Sequence, residues 1–142
     1  MFTAEKGKGA YLNDRRRLRV AARKQLSDAL VTIGIPHVGR TGHARFLHQL
    51  QPVIAEVAGV RRTGSAALDL AWTAAGRFDA YWERGIKPWD MAAGIVLMRE
   101  AGGAVCDLSG GADMLDNNEI LATNTVLQKP LLELLANPAA KV

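Results

Sequence analysis

The chain has 142 residues, 49% of them apolar and 23% charged, with a formal net charge of +4 and one cysteine. That length suits one domain, which would bury roughly 68–70% of its unfolded surface, and the composition excludes fibrous, low-complexity and disulfide-rich classes. The lone Cys106 rules out an internal disulfide and fits a reducing compartment, so a cytoplasmic location is the default expectation. No secretory h-region opens the chain and no apolar run is long enough to span a bilayer, so no membrane role is expected. Charge is uneven: residues 1–24 hold eight basic and two acidic side chains, the remainder ten and twelve. Arg15-Arg16-Arg17-x-Arg19, followed by Arg23-Lys24, reads as a solvated strand face or as a patch for a polyanion or partner. The alternation in Arg17-Leu18-Arg19-Val20 and the lack of interleaved aromatics favour the solvated face.

In chain order, Phe2 to Val20 reads as a hairpin or meander turning at Gly7-Lys8-Gly9, which matches no phosphate-loop pattern. Ala29 to Gly34 is an apolar run of strand length, suited to a covered strand. A helix is expected from near Thr41, with Phe46, Leu47, Leu50, Val53, Ile54 and Val57 at helical spacing and a kink or interruption at Pro52. From Val60 the order becomes strand, helix (Ser65 to Ala75), strand (Phe78 to Trp82), helix (Pro88 to Ala101), strand (Val105 to Leu108). Glu119 to Ala122 adds a strand, and Gln128 to Leu135 closes with a helix. Such alternation predicts an α/β fold built as a layered sheet-and-helix sandwich.

The chemistry-bearing candidates gather in the second half. Pro88 suits a first helical position, and Trp89-Asp90-Met91-Ala92-Ala93-Gly94 then puts one carboxylate in the first turn of a helix apolar on every side. Such a helix is expected to be covered on two sides, as is the one from Ser65. Asp90 is either a dipole-favoured first-turn acid or a metal ligand. Gly64-Ser65-Ala66 opens a helix whose first N–H groups lack partners, so Ser65 is either a simple N-cap or part of a ligand site; Leu68 at N3 excludes a capping box. Glu83 lies at a strand end, where layered α/β proteins place ligands. Asp69 and Asp79 read as structural, and Arg61 or Arg62 as suited to an anionic substrate or a partner subunit. His37, His43 and His48 show no metal-ligand rhythm and read as surface or loop residues. Trp72, Trp82 and Trp89 read first as core aromatics, with Trp89 a possible wall beside Asp90. Carboxylates without a His/Cys cluster suit a hard cation such as Mg2+.

Arg61-Arg62-Thr63-Gly64-Ser65-Ala66-Ala67-Leu68-Asp69-Leu70, Ala75-Gly76-Arg77-Phe78-Asp79-Ala80-Tyr81-Trp82-Glu83 and Trp89-Asp90-x-Ala92-Ala93-Gly94 together resemble the second half of the inositol monophosphatase family. The opening Phe2 to Asn13 is similar to the hairpin midway through those proteins. The resemblance covers nearly all of this chain but about half of a family member. It implies the C-terminal part of an αβαβα fold, with residues 1–24 a hairpin left over from the N-terminal sheet and 25–142 a C-terminal α/β domain. It implies a metal-dependent, lithium-sensitive phosphomonoesterase acting on a small phosphorylated polyol or sugar, homodimeric at full length. By the same resemblance Gly64, Ser65, Ala66 and Glu83 line the polyol site, and Asp90 holds a second Mg2+ near the leaving-group oxygen. The family's upstream Glu and Asp-Pro-Ile-Asp-Gly-Thr motif, which supply most metal ligands, do not occur in these 142 residues. The expectation is therefore a truncated or falsely started chain, catalytically incomplete by itself. The alternative is a non-catalytic binding or regulatory protein contacting transcription machinery or RNA; the resemblance extends to bacterial relatives that associate with transcription machinery.

Overall fold

The computed structural model describes residues 1–136. Three short strands, β1 (Phe2–Glu5), β2 (Gly9–Leu12) and β3 (Arg16–Arg17), form an antiparallel meander, pairing Phe2 with Leu12 and Tyr11 with Arg17. Five more make a mixed sheet: β4 (Leu30–Ile33), β5 (Gly59–Arg61), β6 (Ala80–Arg84), β7 (Ala104–Cys106) and β8 (Glu119–Thr123), in spatial order β5-β4-β6-β8-β7. The β5-β4-β6 side is parallel and the β6-β8-β7 side antiparallel, with one turn of helix, α4 (Met114–Asn117), leading into β8.

Alternation along the central strands sorts their side chains into two cores. Ala80 and Trp82 of β6 and Leu121 of β8 join Phe46 and Val53 of α1 (His43–Glu56) and Leu131 and Leu135 of α5 (Gln128–Ala136). Tyr81, Ile120 and Ala122 point the other way, into a core with Leu70 and Ala74 of α2 (Ala66–Ala74) and Met91, Ile95 and Met98 of α3 (Pro88–Glu100). Ala10 and Leu18 of the meander close that second core from outside. The layers therefore run meander, α2 with α3, five-stranded sheet, α1 with α5. The expected α/β sandwich is what the structure shows.

Several expectations need correction. The first helix starts at His43 and runs unbroken to Glu56 through the buried Pro52. A mid-helix proline costs about 3 kcal/mol, and the packing around it offsets that. Phe46 and Val53 anchor the helix in the core on either side of Pro52, and buried Gln49 donates its Nε2 to the Leu135 carbonyl at 2.9 Å. Leu47 and Ile54, counted by spacing as core-facing, are exposed. The third central strand begins at Ala80, because the Asp79 carboxylate accepts the Leu30 N–H at 2.7 Å and fixes the preceding bend. Trp82 is a core aromatic, Trp72 is half-buried, and Trp89 is 77% exposed on the outer side of α3. Helices α2 and α3 pack against the five-stranded sheet, and α3 also against the meander, while Leu68, Ala92 and Ala93 meet solvent. Arg16, Arg17 and Arg19 are exposed while Leu18 is buried, the alternation expected of a solvated face. Cys106 is buried, which pushes its thiol up, as suits an inert core residue.

Helices α2 and α3 meet at Gly94. A Cβ there would lie 2.4 Å from Leu70 Cδ1 and 2.6 Å from Leu70 Cβ, so only glycine permits this approach. Gly94→Ala should therefore lower stability by about 1–3 kcal/mol through overpacking, despite alanine's roughly 1 kcal/mol advantage in helix propensity. A urea midpoint at or above that of the native chain would show that the two helices separate freely.

Candidate functional site

Two helix N-termini and two strand ends converge on one cavity of about 330 Å3. The first helix terminus is α2. Gly64 precedes it at φ +88, a left-handed backbone that glycine adopts readily, with open space around its Cα. Ser65 is its N-cap, its hydroxyl accepting the Leu68 N–H at a long 3.5 Å. The second terminus is α3, where Pro88 follows the Lys87 N-cap and Asp90 stands at N3. The Asp90 carboxylate accepts the Lys87 N–H at 3.4 Å, at the limit of a hydrogen bond. Asp90 is exposed, so its oxygens remain open to the cavity.

From the sheet come Gly34, just past β4, and Glu83 of β6. The Glu83 carboxylate lies so close over Gly34 that a Cβ at that position would stand 2.0 Å from its Cδ. Tyr81 donates its hydroxyl to Glu83 Oε2 at 2.5 Å, and Arg40 reaches Oε1 at 3.4 Å. Asp69, one helical turn beyond Ser65, is buried and accepts from Thr32 Oγ1 at 2.5 Å. All five residues singled out by sequence, Gly64, Ser65, Ala66, Glu83 and Asp90, line this one cavity.

Sequence reasoning missed others that line it, chiefly Gly34, Arg40 and Asp69, and left Arg62 undecided against Arg61. The sequence pairs Asp69 with Asp79 as structural. Asp79 fits that reading, bound to Arg23 and the Leu30 N–H, whereas Asp69 faces the cavity. Its spacing of four from Ser65 was the available signal, since i and i+4 share a helix face. Of the arginine pair, Arg62 lines the cavity and Arg61 turns back to the Val60 carbonyl. His37 lies at the cavity's edge, while His43 and His48 are exposed on α1. Trp89 is not part of the lining.

The site is strained electrostatically. Burial pushes the Glu83 carboxyl above its ordinary range, against hydrogen bonding from Tyr81 and the charge of Arg40, with Asp69 and Asp90 adding like-charge repulsion. Burial likewise raises Asp69, against hydrogen bonds from Thr32 and Thr63 and the charge of Arg62. Tyr81 is raised by its own burial and by Glu83, which keeps it a hydrogen-bond donor. The donor set is hard oxygen, but among the described residues no group of three or more His, Cys, Asp or Glu is arranged to hold a metal ion. Asp90 offers one carboxylate toward such an ion and cannot complete a site unaided.

Raised carboxyls set the sign of the pH dependence. The unfolded chain releases these protons near 3.8 for Asp69 and 4.5 for Glu83, and the folded chain holds them to higher pH. Between those limits the folded state carries more protons, so stability falls as pH rises from the ordinary carboxylate range through the raised values. Asp69→Asn, which can still accept from Thr32, should flatten that fall in denaturant melts from pH 4 upward (on the order of the carboxylate range). An unchanged slope would remove Asp69 from this account.

Comparison with known proteins places this geometry. The model of the inositol monophosphatase family matches residues 1–141. The chain is 55% identical over 138 residues to an inositol-1-monophosphatase of Mesorhizobium japonicum, covering 97% of this chain and 52% of that protein. It is 47% identical over 133 residues to the Nus factor SuhB of Pseudomonas aeruginosa, covering 92% of this chain and 49% of that one. The structure of the extragenic suppressor protein suhB from Bartonella henselae superposes with a TM-score of 0.90 at 50% identity, covering 94% of this chain and 52% of that chain. The chain thus spans about half the length of the relatives it matches. With the expected layers, the expected motifs and a family match over almost every residue, the chain belongs to the inositol monophosphatase family.

Proposed function

We propose that these residues form the polyol-binding wall, and one metal-binding edge, of a Mg2+-dependent phosphomonoesterase acting on inositol-1-phosphate or a similar small polyol or sugar phosphate. One observation carries the reading: Gly64, Ser65, Ala66, Glu83 and Asp90, far apart in sequence, share one cavity. Glu83 accepts hydrogen bonds from substrate hydroxyls, held in place by Tyr81 and Arg40. The open N–H groups at the start of α2 and the Arg62 guanidinium favour the oxygen-rich substrate. Asp90 is the residue that would hold Mg2+; when bound, such an ion supplies charge neutralisation for phosphoryl transfer and an activated water. In this reading the remaining ligands belong to an Asp-Pro-Ile-Asp-Gly-Thr segment absent from these 142 residues. A cytoplasmic, homodimeric full-length enzyme is part of the same proposal. Among the described residues, no helix is long and apolar enough to cross a membrane.

The 142-residue chain alone should hydrolyse no inositol-1-phosphate at excess Mg2+, because one carboxylate leaves the ion largely hydrated. In a polypeptide that also carries the missing motif, Asp90→Asn should lower kcat by about 10²–10³ while shifting stability by less than about 1 kcal/mol. Glu83→Gln should instead change the preference among polyol phosphates. Turnover by the isolated chain that vanishes in Asp90→Asn, or wild-type kinetics in both variants of the longer protein, would overturn the assignment.

A second, non-catalytic reading is favoured by the relatives named Nus factors and by the exposed Arg15, Arg16, Arg17 and Arg19. It places this chain in contact with transcription machinery or RNA. RNA binding that weakens steeply with salt and disappears when these four arginines become glutamines would support it; salt-insensitive or absent binding would dismiss RNA as the partner.

A further inference from the structure

A second cavity, of about 490 Å3, adjoins the candidate site across Gly34 and Arg40. Among the described residues four cations line it, Arg40, Arg45, Arg84 and Lys87, and no acidic side chain does. The carboxylates that reach this cluster are already engaged. Glu83 is taken up by Arg40, and Glu119 by Arg84, whose Nε also donates to Gln49 at 3.1 Å. Among the described residues neither Arg45 nor Lys87 pairs with a carboxylate across this cavity, and the Asp90 carboxylate, which accepts the Lys87 backbone N–H, lines the neighbouring one. The consequence reaches Arg84: burial lowers its guanidinium first, Glu119 opposes this, and the like charge of Arg45 lowers it further.

The cavity has a formed floor and rim. Phe46 and Trp82 stack beneath it with centroids 6.0 Å apart. Gly42, the N-cap of the 14-residue helix α1, lines it and offers no side chain to the orphan N–H groups of the first turn. Cations gathered in a concave, partly desolvated pocket beside a helix N-terminus are arranged for a compact anion.

We propose that this cavity is a second anion site, which takes a phosphate dianion, free or as a monoester, beside the site at Asp90. Its volume falls within the range of small-molecule pockets. A nucleic-acid backbone would call for cations strung along a groove with stacking faces exposed; here the two aromatic rings are buried. The inference goes beyond the phosphatase reading and does not require it. The two cavities are linked through Arg40. An anion that draws this guanidinium away from Glu83 leaves that carboxylate held by Tyr81 alone, so occupation of one site alters how the other grips a hydroxyl.

Amide-resolved titration of the 142-residue chain with inorganic phosphate, at constant ionic strength, tests this directly. Shifts are expected at Gly39, Gly42 and Gly85, which line the basic cavity. Arg45→Gln combined with Lys87→Gln should weaken phosphate binding about tenfold or more, and Lys87→Gln alone by a smaller factor. Lys129→Gln, an exposed lysine on α5, should leave it unchanged. A parallel titration with fructose 1,6-bisphosphate separates the sources. Tighter binding than phosphate, with shifts in both cavities, assigns the anion to a bisphosphorylated ligand, and equal binding assigns it to free phosphate. Shifts confined to Gly64, Ser65 and Ala66, or undiminished phosphate affinity in the double variant, would overturn the proposal. So would binding of a single-stranded oligonucleotide without any binding of phosphate.

Discussion

The close approach of α3 to α2 at Gly94 and Leu70 sets the spacing on which the candidate site depends. Each helix brings its own N-terminus: Ser65 begins one and Asp90 sits in the first turn of the other. Their separation is therefore set by how near the two helix axes lie. A methyl group at position 94 would push the axes apart, carrying Asp90 away from Ser65 and loosening the core that Tyr81 fills from the sheet. The glycine that ends the Trp-Asp-x-Ala-Ala-Gly motif acts through packing, one helical turn beyond the carboxylate it positions.

A similar economy of atoms holds Glu83. Gly34 leaves β4 where β6 carries Glu83, and the Gly34 N–H donates to the Trp82 carbonyl at 3.1 Å, so the two strand ends stay locked together. The absent side chain at Gly34 is the space the carboxylate occupies. Burial there works against the charged form, and Tyr81 and Arg40 only partly restore it. Asp69 adds a second buried carboxyl nearby, satisfied by Thr32. Folding this chain thus places acids where water solvates them poorly, a cost that ordinary packing would avoid and that ligand sites commonly carry.

How much of this was readable from residue order follows from the range of each signal. The α3 start was legible because proline at N1 and an acid at N3 are local preferences. The apolar strand before Gly34 was legible for the same reason. Pro52 misled, because a local rule predicted an interruption that packing by Phe46, Val53 and Gln49 overrides. Trp89 misled because aromatic residues are usually buried, yet this one lies outside the arc that α3 packs against the sheet. Gly34 and Arg40 carry no pattern along the chain, and their place beside Glu83 exists only once β4 and β6 pair in parallel. Glu83, Asp90 and the Gly64-Ser65-Ala66 turn were singled out through family resemblance; their spacing alone left simpler readings open.

Charge in the two cavities explains why a phosphorylated ligand would meet them differently. The site cavity is lined by Asp69, Glu83 and Asp90 against Arg40 and Arg62, with Arg40 already committed to Glu83. Two like charges 4 Å apart repel by about 4 kcal/mol at an effective dielectric of 20, so a phosphate dianion beside Asp90 is unfavourable unless a cation lies between them. Asp69 and Glu83 are the acids that burial holds toward the neutral form, while Asp90, exposed and only loosely engaged by the Lys87 N–H, has lone pairs to offer such a cation. The neighbouring cavity has the opposite balance and can meet an anion without one. Arg40 stands on the boundary between the two, so the same guanidinium that steadies Glu83 also separates the acid-lined cavity from the basic one.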